Sequence, residues 1–231
     1  TELLSIAGSN SGSVGVAYHN ITDQNLKDVL QKVDTSAGQT MVSNAIDALA
    51  ASGATRTDLG LDMAQRILSA NPVQPNEKRS RVVIVFTGGA PTSFNGFEKD
   101  VADNAITYAG TIKTTGATVY TIGIFAGANA VSAGTEPSGD LDQNSKSMNS
   151  ACNWFMQQVS SNNGTPRTPS YYLSAADAGS LSSIFQQISD NIETGGSSST
   201  LTEGSVVRDI ISPQFTLPAG STASDITLET Y

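Results

Sequence analysis

The chain is 231 residues long, with 38% apolar and 14% charged residues and a formal net charge of −9. That length and balance suit one globular domain with an appendage and exclude a disordered chain. The acidic excess argues against nucleic acid or an anionic membrane as partner, because both are gripped by clustered Lys and Arg. Abundant Ser, Thr, Gly, Ala and Asn with few charges suit a secreted protein. The dense basic spot, Lys78-Arg79-Ser80-Arg81, reads as solvated charge at a strand entry. One cysteine, Cys152, leaves no partner for an internal disulfide, and one histidine, His19, does not make a zinc site. No apolar run reaches the ~20 residues that span a bilayer.

In chain order, Thr1-Glu2-Leu3-Leu4 reads as the tail of a helix, so a fragment or trimmed chain is expected. Residues 14–18, Val-Gly-Val-Ala-Tyr, read as a strand, and 25–33 as a short helix. Residues 42–49 place apolar side chains at i, i+3, i+4 and i+7, the helical period. After the loop Gly53-Ala54-Thr55-Arg56-Thr57-Asp58-Leu59-Gly60, a helix is predicted over 58–70. It would bury Leu61, Ala64, Ile67 and Leu68, and Asn71-Pro72 stops it.

Residues 82–86, Val-Val-Ile-Val-Phe, form a continuous apolar run, as in a strand covered on both faces. A helix is predicted over 97–114, stopped at Gly116, and another buried strand over 118–125. The loop 126–147 is long for a compact domain, and such loops are often functional or mobile. Then come a helix over 148–159 with Cys152 as an inert buried thiol, a strand over 171–174 and a helix over 181–192. This alternation predicts an α/β fold: a doubly wound, Rossmann-like, mostly parallel sheet with helices on both faces. The predicted organisation is a domain over 1–195, a Gly/Ser linker over 196–204, and a β-rich start or packing strands over 205–231. Strands are expected there at 205–211 and 224–231.

Several of these segments together resemble the von Willebrand factor type A domain, in the version found in Gram-positive surface adhesins and pilus-tip proteins. Val14-Gly15-Val16-Ala17-Tyr18 is similar to the family's second strand, and Gly53-Ala54-Thr55-Arg56-Thr57 to its Gly-x-Thr-x-Thr loop. Val82-Val83-Ile84-Val85-Phe86-Thr87-Gly88-Gly89 is similar to a strand ending in Thr-Asp-Gly, and 116–124 to the strand after it. Residues 155–162, 171–174 and 207–215 are similar to the Gram-positive subgroup.

The resemblance implies a metal-ion-dependent adhesion site (MIDAS) in which three loops hold Mg²⁺ or Mn²⁺. The first, Asp-x-Ser-x-Ser, is expected before Thr1. The second supplies Thr55. In the third, Gly88 occupies the position of the expected aspartate. The implied function is adhesion at an extracellular cell surface, cell wall or pilus, with a host or extracellular-matrix protein as ligand. Other pilus or cell-wall subunits are further implied partners. A ligand carboxylate would complete the cation's shell, coupled to movement of the last helix. Mg²⁺ needs six oxygens and normally one or two carboxylates, so metal binding by this chain is expected to be weak or absent. Residual binding would fall to the loops 126–147 and 91–97.

Each candidate also has a purely structural reading. Thr55 can cap the helix over 58–70, and Asp58 complements that helix's dipole or lies behind the metal site. Gly88-Gly89 can form a tight turn or an anion nest, or record a lost aspartate. Asp140-Leu141-Asp142-Gln143-Asn144-Ser145 lacks the glycine and glutamate of an EF-hand and reads as solvated loop. An enzyme is not expected: Gly8-Ser9-Asn10-Ser11-Gly12 has asparagine where a nucleophile elbow needs serine. His19 has no evident serine partner, and no dinucleotide or Walker loop occurs. The alternatives to adhesion are a stalk or assembly module without a ligand and a doubly wound hydrolase.

Overall fold

The structure, a computed structural model, describes residues 35–47, 54–75, 80–175 and 177–195, with short pieces at 2–3, 9–10, 13–14, 26 and 30–32. The first strands are β1 (Glu2–Leu3), β2 (Ser9–Asn10), β3 (Ser13–Val14) and β4 (Gln31–Lys32). β1 pairs antiparallel with β4, and β2 with β3. Two expectations fail in this region. Glu2–Leu3 is strand, Leu3 facing Gln31, where the tail of a helix was expected, and Gln31–Lys32 are strand where the helix over 25–33 was expected. The strand expected over 14–18 lies outside the described residues except for Val14, and the linker and strands expected beyond 195 lie wholly outside them.

Helix α1 (Ser36–Asp47) starts earlier than the apolar period indicated, because the Thr35 hydroxyl accepts the Gly38 amide at 3.2 Å and caps it. Then follow α2 (Thr57–Ala70), β5 (Val82–Thr87), α3 (Lys99–Thr114), β6 (Thr118–Gly123), α4 (Met148–Val159), β7 (Tyr172–Ser174) and α5 (Leu181–Gly195). The strands β5, β6 and β7 form a parallel sheet in that order, with Val82 opposite Thr118 and Thr121 opposite Tyr172.

Alternation along the strands explains the layers. Val83 and Val119 point into a core with Leu61, Leu68, Ala105, Ile112 and Phe155, the inner faces of α2, α3 and α4. Tyr120 and Ile122 point the other way, to Ile184 and Ile188 of α5. Helices therefore cover both faces, and that is why β5 and β6 read as unbroken apolar runs. Cys152 is 2% exposed, and burial pushes its thiol up to about 12, which leaves it inert at neutral pH. No helix among the described residues is long and apolar enough to cross a membrane. The chain divides into Thr1–Glu193 and Thr194–Tyr231, and of the second unit only the end of α5 is described.

Candidate functional site

In parallel α/β sheets, ligands bind beyond the carboxyl ends of the strands. Here β5 ends at Thr87, and the chain continues through Gly88-Gly89 into the loop before α3. The Thr92 amide donates to the Thr55 carbonyl at 2.9 Å, joining this loop to the one that opens α2. The structure thus brings together the two stretches that carry Thr55 and Gly88.

Thr55 does not cap α2. The capping position is Arg56, and no side chain supplies a cap bond. The Arg56 guanidinium instead grips Asp58 with both arms, Nε to Oδ1 at 2.8 Å and Nη2 to Oδ2 at 2.7 Å. Asp58 is 3% exposed, so this is a buried carboxylate with its own cation. That hydrogen bond raises the Arg56 pKa further above its ordinary value. Next to it, Thr57 Oγ1 is buried without a hydrogen-bond partner.

The two glycines after β5 differ. Gly89 sits at φ +118°, and a Cβ there would meet the Phe125 ring at 2.9 Å, so the turn requires glycine. Gly88 is exposed, and a Cβ on it would meet nothing within 4 Å. An aspartate would fit there, so the backbone does not require glycine at this position.

These residues do not fit a tightly held Mg²⁺ or Mn²⁺. Such an ion needs anionic oxygens, whereas Thr55 and Thr57 offer neutral hydroxyls and Asp58 spends both oxygens on Arg56. Thr87 Oγ1 is engaged by the Gly89 amide at 3.3 Å. Among the described residues no group of three or more His, Cys, Asp or Glu gathers.

The loop before α3 is held by Glu98. Its carboxylate accepts the Thr92 hydroxyl at 3.0 Å, the Ser93 hydroxyl at 2.5 Å and the Phe94 amide at 3.0 Å. These bonds lower its pKa, that with Ser93 most. A depressed pKa in the folded state stabilises above the unfolded value and is lost as pH falls through the folded one. The Phe94 amide signal is therefore expected to titrate with a midpoint below 4.5, the ordinary carboxyl value. A midpoint at or above 4.5 in an NMR titration would remove the staple.

The same loop is welded to 126–147. Phe97 and Leu141 exchange both backbone hydrogen bonds, at 2.8 and 2.9 Å. Gly96 permits this approach: at φ +74°, its missing Cβ would lie 2.1 Å from the Leu141 carbonyl oxygen. Asp140, expected to be solvated, accepts the Lys99 amide at 2.8 Å and serves the first donor of α3. Lys99 Nζ reaches Asp103 and Glu136 at 2.6 and 3.0 Å and lies 5.3 Å from the Trp154 ring centre. The long loop is itself fixed from beneath by the buried Asn153 and Gln157 of α4.

Sequence reasoning singled out Thr55, Asp58 and Gly88 but passed over Arg56, Glu98, Asn153 and Gln157. An Arg-x-Asp step at the start of a helix was the available signal for the ion pair. A cavity of about 520 Å³, lined by Leu68, Pro72, Val73, Arg81 and Thr115, lies at the opposite end of β5, away from these loops.

Comparison with curated proteins and with solved structures gave no match. The sequence profile of the von Willebrand factor type A domain matches residues 5–187. That match spans most of the chain and agrees with a parallel sheet covered by helices on both faces, so the chain belongs to the von Willebrand factor type A domain family.

Proposed function

We propose that this domain is an extracellular adhesion module of a bacterial cell-wall or pilus-tip protein. It grips a host or extracellular-matrix protein rather than catalysing a reaction. Domains of this family mediate protein–protein binding, and one observation supports that role here. The two loops beyond the sheet, 91–97 and 126–147, form one cross-linked surface through Phe97 and Leu141. A preorganised surface loses little conformational entropy when a partner docks. Binding proceeds with little or no help from Mg²⁺ or Mn²⁺, since the Arg56–Asp58 pair occupies the charge beside Thr55.

The test is surface plasmon resonance of the chain over a panel of immobilised extracellular-matrix proteins, with Mg²⁺ and then with EDTA. Saturable binding to at least one member is expected, changing by less than about twofold on chelation. Absence of saturable binding to every member would favour a stalk or assembly module. Loss of binding in EDTA would restore the metal-dependent mechanism.

A further inference from the structure

We propose that Phe94 and Val131 anchor a docking surface for a basic protein partner, one whose apolar pocket is bordered by Lys and Arg side chains. This rests on the protein-binding reading above and names the partner's chemistry. Phe94 is 91% exposed and Val131 82%, far more than the half-exposed apolar residues on the helices and β5. A lone apolar side chain on a surface needs no explanation. What distinguishes these two is the backbone beneath them.

Each sits on a segment that a polar side chain locks in place. Under Phe94, Glu98 takes the residue's own amide and both preceding hydroxyls. Under Val131, fully buried Gln157 donates through Nε2 to the carbonyls on either side, Ala130 at 2.9 Å and Ser132 at 3.0 Å. The Val131 amide is held by Asn129 Oδ1 at 3.1 Å. The loops bearing them are joined through Phe97 and Leu141. Rigid presentation of an aromatic is what an interface anchor needs, because little ordering remains to oppose binding.

Charge selects the partner. Residues 91–103 and 126–147 carry Glu98, Asp100, Asp103, Glu136, Asp140 and Asp142 against Lys99 and Lys146. Lys99 is turned onto Asp103, Glu136 and Trp154, so it pairs with two of these carboxylates, and the two segments keep an acidic excess of six carboxylates over two lysines. Complementary charge speeds encounter and excludes acidic competitors.

The experiment pans a displayed random-peptide library on the immobilised full chain, then measures each enriched peptide and each bound matrix protein against Phe94→Ser, Val131→Ser and Asp142→Lys. The two anchor substitutions fall on exposed side chains, so thermal melts are expected to match the parent. Enriched peptides are expected to pair aromatic or aliphatic residues with Lys or Arg. Each anchor substitution is expected to weaken binding about tenfold, and the charge reversal about fivefold with a shallower salt dependence. No enrichment, enrichment of acidic peptides, or equal binding by the anchor variants would overturn the proposal. Matrix binding that survives both anchor substitutions would overturn it too and leave the adhesion reading standing.

Discussion

Replacing Arg56 with alanine is expected to destabilise the domain by about 3 kcal/mol, read by urea denaturation. The Asp58 side chain is 5% exposed, and both its oxygens lie in the Arg56 fork at 2.7 to 2.8 Å. Removing the guanidinium strands a charge that water cannot reach, and breaking such pairs costs roughly 3–5 kcal/mol. The lower end applies because the Arg56 side chain is 26% exposed, so part of its charge is already solvated. Arg56→Lys keeps the charge but loses the planar two-armed grip, and about half of the loss should persist. Asp58→Asn combined with Arg56→Ala removes the stranded charge as well, so the double variant is expected to be more stable than Arg56→Ala alone. If Arg56→Ala is neutral, the pair is a surface contact, and Asp58 is again available to a cation.

The ion pair bears on how this member of the family works. A carboxylate just inside a helix N-terminus is favoured by the helix dipole. Beside a threonine it could equally help to attract a metal. Here the chain supplies its own cation two residues upstream. Gly88 has open space where a carboxylate would go. Around Thr55 and Gly88 the chain therefore offers one carboxylate already paired with its own cation and one glycine with open space beside it.

Much of the architecture was legible from hydrophobic period alone. The helix over 148–159 and the strands at 82 and 118 are where the residues indicated, because burial on one face or two writes itself into spacing. The stretches around Thr55 and Gly88 carried part of the family resemblance, and the family profile spans both. What was not legible is the bonding that welds the loops. Glu98 acts on hydroxyls and an amide within its own loop, whereas Asn153 reaches Asn129 and Gly127 over more than twenty residues. Single polar side chains that bond to distant backbone leave no periodic trace. The loop 126–147 was expected to be functional or mobile, and its length could not show that α4 pins it. The same limit hid the role of Asp140, whose acidic neighbours suggested only a solvated turn.

Asn153→Ala is expected to be more damaging than Arg56→Ala, at about 3–4 kcal/mol. The side chain is 4% exposed and makes four hydrogen bonds. Oδ1 accepts the Asn129 amide at 2.8 Å and the Tyr172 hydroxyl at 2.7 Å, and Nδ2 donates to the Gly127 and Asn149 carbonyls at 2.9 and 2.8 Å. Alanine leaves the Asn129 amide, the Gly127 carbonyl and a fully buried tyrosine hydroxyl without this partner, and each orphaned group costs roughly 1–3 kcal/mol. Water entering the vacated space offsets part of that sum. Tyr172→Phe provides the contrast: it deletes one bond while Asn153 keeps the Asn129 amide, so about 1 kcal/mol is expected. Because Asn153 ties the start of 126–147 to α4, amides 127–132 should also exchange hydrogen faster. Partner binding through Val131 should weaken although Asn153 lies beneath the surface. Unchanged exchange at those amides in a destabilised Asn153→Ala protein would show that the loop is ordered by Gln157 and Leu141 alone, and would separate the stability of the fold from the rigidity of its binding face.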